Sequence, residues 1–173
     1  MKLHLGCGYN KLEGYINCDI SKEVNPDKVL NIEYPLPFKD DSVEEIIAEH
    51  VLEHINNFIT LMHELRRICK NGAKIIIKTP FYSSWGQFND PTHVRFFTPF
   101  TFDYFHPNKY SHEVECDERM FNVKCKINYA VGRLKFLNKI FNPLINLSQA
   151  FYCRFFAWTF PASELIFELE VIK

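Results

Sequence analysis

Apolar residues recur along the chain with two different periods, and the switches between those periods mark the elements. Leu3, His4 and Leu5 form one short apolar run and Tyr15 to Cys18 another, which predicts two strands. Lys28 to Ile32 reads as a third strand and Glu45 to Glu49 as a fourth. Ala73 to Thr79, with its continuous isoleucine run, suits a fifth strand buried in a parallel position. Between the fourth and fifth strands, Phe58, Leu61, Met62, Leu65, Ile68 and Cys69 make one helical stripe. Asn56 or Asn57 is placed to cap that helix, Arg66, Arg67 and Lys70 suit its negative end, and Gly72 is placed to end it. Tyr34 to Phe38 holds two prolines and reads as a loop. Residues 81–95 have no period, and Thr98 with Pro99 suits the start of a short helix. Two-residue alternation returns at Asn122 to Ala130 and at 164–172, giving two further strands. Gly132 to Pro161, between them, fits two helices broken at Pro143. Strands alternating with helical or loop crossovers predict an α/β fold with a mostly parallel sheet.

Chemistry gathers first at Gly6-Cys7-Gly8 and Asp19. Two glycines let the backbone come close to a ligand. An acid at the tip of the next strand can accept hydrogen bonds from both hydroxyls of a ribose. Strand, glycine turn, strand, acid is the layout of a nucleoside site on an open sheet. Gly8 and Asp19 are 11 positions apart, so the first crossover helix must be missing or a single turn.

Composition narrows the picture further. The chain has 173 residues, enough for one domain with a core, and 17 Phe and 8 Tyr exclude disorder. A net charge of -1 gives no general attraction to nucleic acid. No run of about 18 apolar residues points to a membrane span. Met1 leads straight into a strand, so no signal peptide is expected. Cysteines at 7, 18, 69, 116, 125 and 153 form no CxxC pair, which points to free thiols in a cytoplasmic protein.

Four segments in order carry a family resemblance: LHLGCG, LPFKDDSVEEIIAEHVLEHI, a helix with Gly72 and a strand, and DPTHVRFFTP. Together, from Leu3 to about Phe102, they resemble the type 11 branch of the class I S-adenosylmethionine-dependent methyltransferases. His4 stands where that family usually has an acid, and Asn10 where it often has a third glycine. The resemblance implies a Rossmann-like sheet of seven strands, mostly parallel with an antiparallel last strand and a reduced first crossover helix. It implies a single methyltransferase-like domain over 1–173, with 132–160 inserted between the last two strands. S-adenosyl-L-methionine is the implied cofactor. It would be held by Leu5, Gly6, Cys7, Gly8 and Asn10, with Asp19 and the adjacent Ile20 at the ribose. Asn31 and Ile32 would flank the adenine, and Glu49 and His50 would line the methionine side.

Methyl transfer from a sulfonium is an in-line displacement that needs alignment and, for a hydroxyl acceptor, somewhere for a proton to go. His50 follows the fourth strand, and Asp90 and His93 lie in the loop after the fifth. We read His93 as general base oriented by Asp90; the alternative is that 90–95 is a self-hydrogen-bonded loop that only shapes the site. Without an N-P-P-Y-type amine motif, a small-molecule or glycan acceptor methylated at oxygen is expected, and nucleic acid is not. A rival reading takes His50-x-x-Glu53-His54 as the inverted zinc-peptidase motif, which would need a helix and a third ligand; otherwise no metal is assigned. The stretch 132–160 carries Arg133, Lys135, Lys139 and Arg154, seven aromatic Phe and Trp residues, and no acid. It reads as a helical pair covering the sheet, as a peripheral membrane contact, or as a receiver of a lipid-linked substrate. A lid would come from 81–113 or 131–162. A non-catalytic, methyltransferase-like binding subunit is the remaining alternative, and a monomer or homodimer fits either role.

Overall fold

A computed structural model describes residues 1–106 and 119–173; Cys116 and the end of the 81–113 segment lie outside the described residues. Seven strands are β1 (Lys2–Leu5), β2 (Ile16–Asp19), β3 (Lys28–Val29), β4 (Val43–Glu49), β5 (Cys69–Pro80), β6 (Phe121–Asn128) and β7 (Glu164–Val171). They form one sheet in the order β3-β2-β1-β4-β5-β7-β6. β1 pairs in parallel with β2 on one side and β4 on the other, and β5 continues in parallel from β4. β7 runs antiparallel between β5 and β6, which is the expected class of sheet. The carboxyl ends of β1, β2, β4 and β5 therefore meet at one edge. The chain order reverses across β1, and such a switch point opens a crevice for ligands.

No helix joins β1 to β2. The side chain of Asn17 organises the short crossover instead. Its Oδ1 accepts from the Leu12 amide at 2.8 Å, and its Nδ2 donates to Asp27 at 2.8 Å and to the carbonyls of Leu12 and Tyr15. His4, buried, sits 3.3 Å from the same Oδ1. The position where an acid is usual thus anchors the crossover.

Helix α1 (Phe58–Ile68) buries Phe58, Leu61, Met62, Leu65 and Ile68, the stripe that its period predicts. Its ends differ from the sequence expectation. Neither asparagine side chain caps it; Glu33 does so from a distance, accepting the amides of Asn56 at 2.7 Å and Asn57 at 2.9 Å. Gly72 does not end it either. The chain passes directly from Ile68 into β5, and Gly72, at φ +77°, relieves a register shift between the pairs Val43–Cys69 and Glu45–Lys74. The third strand is only two residues long, because Asn31 folds its side chain onto the Glu33 amide in a turn. Helix α2 (Trp85–Asn89) is capped by Ser84. The turn expected at Thr98 forms at Thr101–Phe105 as a 3-10 helix. It buries Phe102 and Phe105 against Phe58, Phe97 and Phe167, with the Phe102 and Phe167 rings 4.6 Å apart.

Between β6 and β7 lie a 3-10 turn at Gly132–Leu137, helix α3 (Asn138–Leu147) and helix α4 (Gln149–Phe155). Pro143 sits inside α3, and the break comes at Ser148. Pro143 and Lys139 are both on the exposed side, so the carbonyl freed by the proline can be served by water. α3 packs with its polar face inward. Asn138, Asn142 and Asn146 accept from the amides of Ala130, Tyr129 and Ile127 at 2.8–2.9 Å, closing the free edge of β6. Ile140, Leu144 and Leu147 consequently face outward, Leu147 at 85% exposure. Among the described residues no helix is long and apolar enough to cross a membrane.

The crossover makes a direct prediction. Asn17→Ala removes five side-chain hydrogen bonds, so stability by denaturant titration should fall by about 2–5 kcal/mol at roughly 1 kcal/mol per bond. A loss under about 0.5 kcal/mol would show that the crossover is held by something else.

Candidate active site

β1 ends at Gly6 with φ +63°, and a Cβ there would lie 2.1 Å from Cγ2 of Val51. Gly6 is therefore demanded by the close approach of the segment after β4. Gly8, at φ +49°, has open space where its side chain would be. Asp19 ties the loop together: Oδ2 accepts from the Gly8 amide and Oδ1 from the Ser21 amide, both at 2.9 Å. The strand-end cap is thus realised, and an ionised carboxylate with about four acceptor sites keeps two in hand. These residues line a cavity of about 380 Å³, within the usual range of ligand pockets, about 300–1,000 Å³.

Gly6, Gly8, Asp19, Ile20, Asn31, Ile32 and His50 all line that cavity. Leu5 and Cys7 turn into the core, Asn10 is exposed on the crossover, and Glu49 is ion-paired with Lys78 and faces a different space. Sequence reasoning missed Glu33, Val51 and Ile55, and named His54 only in the zinc-peptidase motif. Only the close approach of the segment after β4 to Gly6 brings Val51 in, and no period reveals that contact.

A second cavity, of about 660 Å³, opens on the other side of His50 and His54, which line both spaces. His50 stands at the crossing with φ +55°, a left-handed conformation uncommon outside glycine and asparagine. Its amide still donates to the Lys78 carbonyl at 2.8 Å, so the sheet holds the turn in place. Its Nε2 lies 3.7 Å from Glu164 and its Nδ1 3.4 Å from Glu53. These two carboxylates, Glu164 first, push His50 up to about 9. The imidazolium in turn holds Glu164 below the usual carboxylate range.

The 90–95 loop docks on the turn after β4, where the Glu53 carbonyl accepts from the amides of Val94 and Arg95. Asp90 accepts from both the amide and the hydroxyl of Thr92, at 2.8 and 2.6 Å, and these bonds hold its carboxyl low. Arg95 spans the Ile55 and Asn56 carbonyls and stacks on Phe58, a structural role. His93 reaches the second cavity with Asp90, 4.0 Å away, and its Nδ1 meets the Gln87 carbonyl at 2.9 Å. That carbonyl only accepts, so Nδ1 carries a proton and, in the neutral ring, Nε2 carries the lone pair. The rival H-x-x-E-H reading fails on geometry. Leu52–His54 is a 3-10 turn and His50 lies outside it, so the two histidines do not share a helix face.

Comparisons with known proteins agree with this frame. Residues 3–77 match the profile described as a methyltransferase domain. An uncharacterized protein of Methanocaldococcus jannaschii is 32% identical over 71 residues, which cover 36% of this chain and 31% of that relative's length. A SAM-dependent methyltransferase from Archaeoglobus fulgidus shares the fold at a TM-score of 0.62 and 19% identity, over 98% of this chain and 85% of that one. Phosphoethanolamine N-methyltransferase 2 of Haemonchus contortus, solved with S-adenosyl-L-methionine, shares it at 0.62 and 11% identity, over 99% and 48%.

The two carboxylates around His50 set a pH signature. A folded value raised to about 9 from an ordinary 6.5 means the stabilisation is full below about 6.5 and lost as pH rises through about 9. The His50 ring resonance should titrate near 9 in an NMR experiment, and thermal stability should fall across that window less steeply in His50→Gln. A midpoint near 6.5 would contradict the arrangement.

Proposed function

We propose, from the match of residues 3–77 to the methyltransferase-domain profile, that the chain is a class I S-adenosylmethionine-dependent methyltransferase that methylates a hydroxyl of a glycan-type acceptor presented at a membrane surface. The observation that carries the proposal is the meeting of two cavities at His50 and His54, one lined by Gly6, Gly8 and Asp19 and one polar. Asp19 would accept from the ribose through its spare acceptor sites, and Ile20, 65% exposed, would be covered by the adenine beside Ile32. The bound cofactor supplies an activated methyl group on a sulfonium. A fold neighbour described in complex with S-adenosyl-L-methionine supports the same choice of donor.

The second cavity fits a polyhydroxylated acceptor. Ser84, Ser163, Asp90, Glu164 and Lys135 offer donors and acceptors, and the exposed Trp85 at its rim can stack on a sugar face. His93 presents the Nε2 lone pair there, where an acceptor hydroxyl would leave its proton. His50, already protonated at neutral pH, aligns rather than deprotonates. The segment that supplies Val131, Gly132 and Lys135 to this cavity also carries the outward face of α3 and α4. Ile140, Leu144, Leu147, Phe151, Phe155 and Trp158 are all exposed, and the same stretch, 132–160, carries exposed Arg133, Lys135, Lys139 and Arg154 and no acid. A basic, apolar face of this kind fits an anionic bilayer. Five described cysteines are free thiols, which suits a reducing compartment with access to such a surface.

Two measurements follow. S-adenosylhomocysteine should bind in calorimetry, and Asp19→Ala should weaken it by about 1.5–3 kcal/mol, the range for a hydrogen bond to a charged group; unchanged affinity would take Asp19 out of the site. In co-sedimentation, the chain should bind vesicles rich in phosphatidylglycerol but not neutral ones, and Leu147→Glu with Phe155→Glu should release it. Equal binding of the double variant would remove α3 and α4 from the membrane contact.

A further inference from the structure

Glu53 is fully buried, yet neither carboxylate oxygen has a hydrogen-bond partner. Its nearest cation is His50, at an ion-pair distance of 3.4 Å. An ionised carboxylate so placed needs more compensation than one half-exposed imidazole gives. Two further imidazoles stand beside it. One ligand atom from each of Glu53, His54 and His93 lies within 4.8 Å of the other two. His54 Nδ1 meets Thr92 Oγ1 at 2.9 Å, and that hydroxyl already donates to Asp90. Thr92 can then only accept, so the His54 proton is on Nδ1. His93 is fixed the same way by the Gln87 carbonyl. Both rings are thus held by an outer partner in the tautomer that frees Nε2, the device by which proteins orient histidine ligands toward a metal.

We infer that Glu53, His54 and His93 bind one divalent transition-metal ion of the zinc or cobalt type at the junction of the two cavities. Two imidazoles and one carboxylate suit such an ion and not magnesium, which prefers oxygen. Tetrahedral ligands about 2.0–2.1 Å from zinc sit roughly 3.3 Å apart, so modest side-chain rotations close the set. The site differs from the peptidase motif because Glu53 is itself a ligand and His50 is not. The inference rests on the proposed function and changes it in one respect: with the ion bound, His93 is a ligand and no longer the proton acceptor. The ion would take the His93 lone pair, and an acceptor hydroxyl bound to it would lose its proton to solvent water before the oxygen–carbon bond forms and the sulfur–carbon bond breaks.

The test titrates chelator-treated protein with Co²⁺, read by visible absorption, and with Zn²⁺, read by calorimetry, with S-adenosylhomocysteine affinity measured on the same samples. One equivalent should bind with micromolar or tighter affinity and give a visible Co²⁺ band. His93→Gln and Glu53→Gln should each weaken binding at least tenfold. Should Glu53→Gln fail to fold, His93→Gln, whose side chain borders the cavity, decides. No Co²⁺ band, or unchanged affinity in His93→Gln, overturns the inference. Cofactor binding without metal binding would sink this site alone, and the reverse would sink the nucleoside cavity alone.

Discussion

β1 has a parallel partner on each side, and the ligand end of the molecule depends on that. Leu5 lies opposite Cys18 of β2 and Ala48 of β4. The three chains therefore leave the sheet at nearly the same level. Gly6, Asp19 and His50 arrive together only because of this register. A one-residue slip in β2 would turn Asp19 to the other face. The register is locked where a crossover helix is absent, by Asn17 reaching Asp27 and the 9–15 loop. A polar side chain thus replaces the mechanical work of a helix. The loss is tolerable for a nucleoside without a pyrophosphate, which needs no helix dipole.

The second organising group is Glu53. Through its carbonyl it docks the 90–95 loop, and through its carboxylate it faces His50, His54 and His93. One buried residue therefore couples the turn after β4 to the loop after β5. The apolar side chains of that loop reinforce the coupling from below, where Phe97, Phe102 and Phe105 pack on α1. The left-handed His50 is held by the same frame, since its amide remains bonded to β5. Such strain at a cavity wall persists only when the surroundings over-determine it.

The strands and α1 were legible in the sequence because burial on one face leaves a period, and Leu165, Phe167, Leu169 and Val171 alternate as buried positions must. The element ends were less so. Glu33 caps α1 from 24 residues away, and Gly72 marks a bulge rather than a stop. α3 inverts the usual rule, since its asparagines face the sheet edge and its leucines face outward. Composition alone could not distinguish that from a covering helix. Glycines and an acid at strand ends pointed to Gly6, Gly8 and Asp19, and the ends of the third and fourth strands to Asn31 and His50; all five line one cavity. Val51 and Glu33 arrive through tertiary contacts that leave no local pattern. In the 90–95 loop Asp90 and Thr92 bond to each other, as a self-hydrogen-bonded loop does, and His93 borders the second cavity.

The central claim is that the cavity between β1, β2 and β4 receives the adenosyl cofactor. Amide NMR shifts on titration with S-adenosylhomocysteine test it most directly. The account predicts the largest saturable shifts at Gly8, Ile20, Ile32 and His50, with α3 and α4 unmoved. Saturable shifts confined to the aromatic face of α3 and α4, or none at all, would contradict it.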